Sequence, residues 1–297
     1  LRSDPEDPAH EVLRRLEEAN ERLEVRAGRN LPQAIGVGLL IGAATFLAVV
    51  FSPLVFSAFV AIAAALCCSE IAGAIRHRDV WLPRVGLAIG GGLAPLATGW
   101  LGLGWGAALL GVGVVVFLVW MTLGAALTGR RLRASAVALG CAFLAYISAT
   151  AAAAVALDVR GGPGPVLGFL IVVIVHDICA YAVGRTWGRH PMAPRTSPHK
   201  TWEGQAGATA GAIVAGIVVA LTPLWGLPWW AGAINGAMLM LSATGGDLLE
   251  SRVKRWIGVK DMGSLLPGHG GLLDRVDAIL LSAPMALILH VLWGLVL

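Results

Sequence analysis

The chain contains three lysines against nineteen arginines (22 Lys+Arg in all), and the lysines fall in two polar stretches. Lys200 lies in the first, residues 176–204, and Lys254 and Lys260 lie in the second, residues 246–277. The lysine ammonium is a compact, strongly hydrated point charge, a phosphate ligand of a different kind from the forked guanidinium. Carboxylates keep company with it. On a helix, Asp247, Glu250 or Ser251, and Lys254 share one face at i, i+3/i+4 and i+7. As an exposed surface pair, Glu250 and Lys254 would contribute only about 0.3–0.5 kcal/mol. Asp274 and Asp277 lie one turn apart, and two carboxylates so placed repel unless a cation sits beside them. Mg²⁺ answers that need, because it takes one or two protein carboxylates and completes its octahedron with water and substrate phosphates. Gly268, Gly270 and Gly271 let backbone amides approach a phosphate just before a helix N-terminus. His269 has no second histidine or cysteine near it, which argues against zinc.

In the first stretch, Asp177 sits well inside an apolar run. At that depth an ionisable group either pairs with a neighbouring helix or marks a functional site. Ser197-Pro198 reads as an N-cap followed by proline at the first helical position. A helix start of that kind aims free N–H groups at an anion, with Lys200 adding its charge.

The elements that must position these groups are membrane helices. Of 297 residues, 57% are hydrophobic and 13% charged, and the mean hydropathy is +0.77. That leaves too little polar surface to cover a globule, since an ordinary soluble domain carries about 25% charged residues. A window of about 20 apolar residues predicts nine spans, at 33–51, 54–75, 85–102, 105–127, 134–156, 164–184, 205–223, 229–247 and 276–297. Basic residues then alternate between connections. With the N-terminal tail on the same side, 21 of 22 Lys/Arg fall on one face, Arg160 being the exception. The positive-inside rule therefore predicts an all-α polytopic helix bundle with its N-terminus in the cytoplasm and its C-terminus outside.

Residues 1–31 form a charged tail ahead of a transmembrane catalytic domain, 32–297. Within the tail, Val12, Leu13, Leu16, Ala19 and Leu23 fall near helical spacing, which suits a short amphipathic helix resting on headgroups better than a coiled coil. Cys67, Cys68, Cys141 and Cys179 all lie in apolar runs and read as small packing residues. Basic and aromatic residues are not interleaved on any polar stretch, so nucleic acid is not an expected partner. No internal repeat is visible, which weighs against inverted-repeat transporters.

The second stretch, Ser251-x2-Lys254-Arg255-x4-Lys260-Asp261-x-Gly263-x3-Pro267-Gly268-His269-Gly270-Gly271-x2-Asp274-Arg275-x-Asp277, resembles the C-terminal signature of phosphatidate cytidylyltransferases. Ser197-Pro198-x-Lys200-Thr201-x-Glu203-Gly204 and Asp177-x3-Tyr181-x2-Gly184 resemble the same family. The likeness is specific over about residues 176–277; before that it rests on the span count and on Glu70 near the cytoplasmic end of span two. It implies a homodimeric membrane enzyme that joins CTP to phosphatidic acid and releases pyrophosphate and CDP-diacylglycerol. The bias to Arg over Lys and to Ala and Gly points to a GC-rich bacterial genome, hence to the bacterial inner membrane with the site facing the cytoplasm. By the same resemblance, Asp247 and Asp274 hold Mg²⁺ (or Mn²⁺), with a monovalent cation such as K⁺ beside it. Lys254, Lys260, Asp277 and Asp177 complete the catalytic set. Ser197, Lys200, Thr201, Glu203, Arg255, His269, Gly270, Gly271 and Arg275 then bind substrate.

Overall fold

A computed structural model describes residues 31–266 and 270–297. Among them are nine α-helices: α1 (Leu31–Phe51), α2 (Pro53–Ala74), α3 (Arg84–Leu101), α4 (Leu103–Thr128), α5 (Ala134–Gly161), α6 (Pro163–Trp187), α7 (Trp202–Ala220), α8 (Trp229–Ile257) and α9 (Leu273–Val296). A 3-10 turn, Ile75–Arg78, extends α2. Between α6 and α7 lies a two-stranded antiparallel hairpin, β1 (Pro191–Ala193) and β2 (Ser197–Thr201). The expected amphipathic helix in the N-terminal tail lies outside the described residues.

Each helix falls on one of the nine apolar segments read from the sequence. Six of them (α2 with its 3-10 turn, α4, α5, α6, α7 and α9) are long and apolar enough to cross a bilayer. Of the others, α3 is rich in glycine and α8 carries Asp247, Glu250, Arg252, Lys254 and Arg255 along its last turns, and both fall short of that measure; α1 is apolar over Gly36–Phe51. The protein is an integral membrane helix bundle.

Glycine lets the helices approach closely. Along α7, Gly204, Gly207 and Gly211 form a seam at i, i+3 and i+7 against α6, where a Cβ would lie 2.9 Å from the Ala180 carbonyl oxygen, 2.4 Å from Val183 Cγ2 and 2.5 Å from Cys179 Sγ. Small residues at such a seam are how membrane helices gain van der Waals contact when burial from water no longer drives them together. Two apolar clusters result. One gathers Val155, Val166, Phe169, Val172 and Leu239; the other gathers Cys68, Leu82, Leu87, Phe117 and Leu144. Cys67 and Cys68 are buried free thiols, while Cys141 and Cys179 are partly exposed.

One local expectation is corrected. Ser197-Pro198 does not start a helix: residues 197–201 form strand β2, and the N-cap of α7 is Thr201, whose Oγ1 accepts from the Gly204 N–H at 3.1 Å. Glu203 explains the shift. Its carboxylate accepts from the backbone N–H groups of Arg189 (3.1 Å) and His190 (3.2 Å), and its Oε1 lies 2.5 Å from His190 Nδ1. Those bonds hold the preceding segment against the start of α7, and Pro198 fits the extended strand. The anion site expected at Ser197 is therefore not built on a helix end.

Candidate active site

The site forms where the end of α6, hairpin β1–β2, the end of α8 and the start of α9 converge. Four contacts draw these segments together: Lys200 pairs with Asp247; Arg255 Nε donates to the Thr196 carbonyl at 3.2 Å; Arg78 Nε donates to the Trp256 carbonyl at 2.5 Å; and Glu70 reaches from α2 to the start of α9. Gly258, at φ 88°, caps α8 in the left-handed conformation and turns the chain back.

Two charge clusters lie side by side. In the first, Asp247 pairs with Lys200 and its Oδ1 accepts from Ser251 Oγ at 3.3 Å. Asp177 has Asp247 and Lys200 as its charged neighbours, and its side chain is 58% exposed. Asp277 comes in from α9, with Asp247, Lys254 and Asp177 as its charged neighbours. Its Oδ1 accepts from the Ala278 N–H at 2.8 Å. Helices α8 and α9 touch here through backbone, since a Cβ on Gly246 would sit 2.5 Å from the Asp277 carbonyl oxygen. Three carboxylates thus gather here, with Lys200 paired to Asp247 and Lys254 the cation nearest in charge to Asp277.

The second cluster centres on Lys254. Its ammonium lies 2.5 Å from Glu250 Oε2 and 3.2 Å from Asp274 Oδ1. The surface-pair reading of Glu250 and Lys254 fails, because their side chains are only 7% and 17% exposed. Neither Glu250 oxygen accepts a well-directed hydrogen bond, close as the Lys254 ammonium lies. Both groups lie beyond residue 247, where span eight was expected to end. Burial, then the charge of Asp277, pushes the Glu250 carboxyl well above its ordinary range. Burial opposes the charge on Lys254, but Glu250 and Asp274 outweigh it and hold its pKa above the usual value.

Asp274 organises the loop ahead of α9. Its carboxylate accepts from the N–H of Met262 (3.1 and 3.0 Å to the two oxygens), from the N–H of Gly271 (2.8 Å) and from Lys254. Glu70 completes the cap, accepting from the N–H groups of Leu272 and Leu273 at 2.9 Å each. These bonds occupy the orphan donors of a helix N-terminus. Sequence reasoning named Glu70 only through the family resemblance, near the cytoplasmic end of span two; a carboxylate 202 residues upstream of the N–H it caps leaves no local signal.

The other expected residues are placed less centrally. Lys260 and Asp261 are exposed beside the site, as is Arg275 on the first turn of α9. Gly270, at φ 79°, lies over Asp261 and Asp274. Thr201 and Glu203 serve as the α7 cap and the hairpin clamp, and Arg255 ties α8 to the hairpin turn. His269 lies outside the described residues. His176, which precedes Asp177, is buried and has Lys200 and Asp247 as charged neighbours, surroundings the sequence did not announce.

Acids and ammonium groups thus gather at one end of a membrane helix bundle. The chain belongs to the cytidylyltransferase family, whose profile matches residues 32–293, and it is thereby an enzyme of the nucleotidyltransferase class. It is 40% identical over 295 residues to a phosphatidate cytidylyltransferase of Mycobacterium bovis, covering 94% of each chain. It is 37% identical over 298 residues to one from Mycobacterium leprae, covering 95% of this chain and 94% of the relative. A protein of the same name from Brucella suis is 41% identical over 142 residues, which is 44% of this chain and 50% of that one.

Proposed function

We propose that the protein transfers the cytidylyl group of CTP to phosphatidic acid, forming CDP-diacylglycerol and pyrophosphate. The observation that carries this reading is the pairing of Lys200 with Asp247, which joins the two polar stretches into one site. An oxygen of the lipid phosphate forms a bond to the α-phosphorus of CTP, and the bond from that phosphorus to the β-bridging oxygen breaks. The lipid phosphate needs no general base, because a phosphomonoester with a second pKa near 6 is largely dianionic at neutral pH. Two polyanions must meet, so the protein's work is positioning and charge neutralisation. Lys200 and Lys254 supply compact positive charge within the cleft, while Lys260, Arg255 and Arg275 supply it around the rim.

A divalent ion fits this site. Asp247 and Asp277 share Lys200 and Lys254 among an excess of acids, which a cation would relieve. Mg²⁺ does not require a closed cage of protein ligands, and among the described residues no group of three or more His, Cys, Asp and Glu has the closeness of one. Asp247 and Asp274 are the residues that would hold it, with Asp277 beside them, although Asp274 already accepts from Met262, Gly271 and Lys254. When bound, the ion would offset phosphate charge and polarise the α-phosphoryl group. The same reading carries nine spans, a cytoplasmic site, an external C-terminus and a homodimer. The test is purified protein with phosphatidic acid, Mg²⁺ and CTP labelled at the α- or the γ-phosphate. Label should enter lipid from the α position only, and EDTA should stop it until Mg²⁺ or Mn²⁺ is restored. Transfer of the γ label would replace this reading with a lipid kinase.

A further inference from the structure

A crevice of about 230 Å³ opens between α5, α8 and α9 beside the two charge clusters. Its lining is largely apolar, with Phe143 and Ile147 from α5, Leu249 and Val253 from α8, and Leu280 from α9. Glu250 and Asp277 line it as well, so it leads directly to the acids. Ala142, also in its lining, is exposed on the outer surface of α5, one of the helices able to span the bilayer. The crevice therefore connects the lipid-facing side of α5 to the reacting groups.

Tyr146 stands where apolar wall gives way to charge. It lines the crevice, and Asp277 and Glu250 are the charged neighbours of its phenol. Among the described residues, its hydroxyl has no hydrogen-bond partner; the bond from the Thr150 hydroxyl goes to its backbone carbonyl, within the helix. A half-buried tyrosine in an apolar setting ordinarily finds an acceptor for its O–H. A phospholipid would bring one to this level, since its ester carbonyls lie between a charged headgroup and apolar chains.

We propose that this crevice receives the glycerol backbone and the first part of one acyl chain of phosphatidate, and that Tyr146 positions the lipid by donating its hydroxyl to an ester carbonyl. The proposal rests on the cytidylyltransferase reading above and adds how the lipid is held. The phosphate then reaches Lys254 and Asp277 while the rest of the chain stays in the bilayer. Tyr146 acts on position and takes no proton in the reaction.

The experiment compares diester with diether phosphatidate of equal chain length, in the same mixed micelles and with saturating CTP. The diether lacks the carbonyl acceptor. Wild type should favour the diester by about two- to tenfold in kcat/KM, the worth of one hydrogen bond. Tyr146→Phe should erase that preference, slowing the diester alone and leaving the KM for CTP unchanged. Ala142→Trp, at the exposed rim, should raise the KM for long-chain phosphatidate and spare dibutyryl phosphatidate and CTP. Equal slowing of diester and diether in Tyr146→Phe would overturn the proposal, as would a wild type indifferent to the carbonyl. An Ala142→Trp defect shared by every substrate, with a changed oligomeric state, would show a second copy covering the crevice and would equally overturn it. A wild type that forms no CDP-lipid from either substrate would instead overturn the underlying reaction.

Discussion

Replacing Gly246 by alanine tests the crossing of α8 and α9 that brings Asp247 beside Asp277. The added Cβ would lie 2.5 Å from the Asp277 carbonyl oxygen, where ordinary contact begins at 3.4 Å, so one helix must recede by about 3.4 − 2.5 = 0.9 Å. The obstacle is backbone, which cannot swing aside as a side-chain tip would. Overpacking of this kind costs about 1–3 kcal/mol, set against a gain of up to about 1 kcal/mol in helix propensity. Catalysis should suffer more than folding, because misplacing reacting groups by about 1 Å can cost roughly a hundredfold. Gly245 provides the control. There an added Cβ meets only Leu281 Cδ2 at 3.4 Å, with the same change in helix propensity. Melting in detergent, together with initial rates of CDP-diacylglycerol formation, should show Gly245→Ala at or above wild-type stability and active. Gly246→Ala should be less stable and at least tenfold slower (about 1.4 kcal/mol in the barrier). If the two variants melt and turn over alike, the helices do not cross at Gly246 and the geometry of the acidic cluster is wrong.

Lys254→Met should destabilise by about 3–5 kcal/mol by leaving Glu250 and Asp274 without their buried cation, and adding Glu250→Gln should restore part of that in thermal melts. No loss in the single variant would mean the pair is solvated. Glu70→Ala should cost about 1–2 kcal/mol through the lost α9 cap; an unchanged melting temperature would show those N–H groups finding water instead. Thr201→Ala should cost about 1 kcal/mol, whereas Ser197→Ala should stay within about 0.5 kcal/mol. The reverse order in a denaturation series would return the N-cap to Ser197.

Composition and spacing alone were enough to determine an all-helical membrane protein, because long apolar runs and periodic basic loops are local signals that lipid leaves no other way to satisfy. Both polar stretches stand out in the same way, because Lys200, Lys254, Asp247, Asp274 and Asp277 are rare charges in an apolar chain. Tertiary structure decided who partners whom. Asp274 and Asp277 look equivalent in sequence, one turn apart, yet Asp274 is bound by Met262, Gly271 and Lys254 while Asp277 accepts from the Ala278 N–H and has Asp247 as a charged neighbour. Glu250 and Lys254 look like a surface pair, yet neighbouring helices bury them. Ser197-Pro198 carries a correct local helix-start signal that the clamp from Glu203 to His190 overrides. Tyr146 carried no signal at all. Its meaning comes from α8 and α9 closing a crevice against α5, and contacts between distant helices depend on packing that no run of neighbouring residues records.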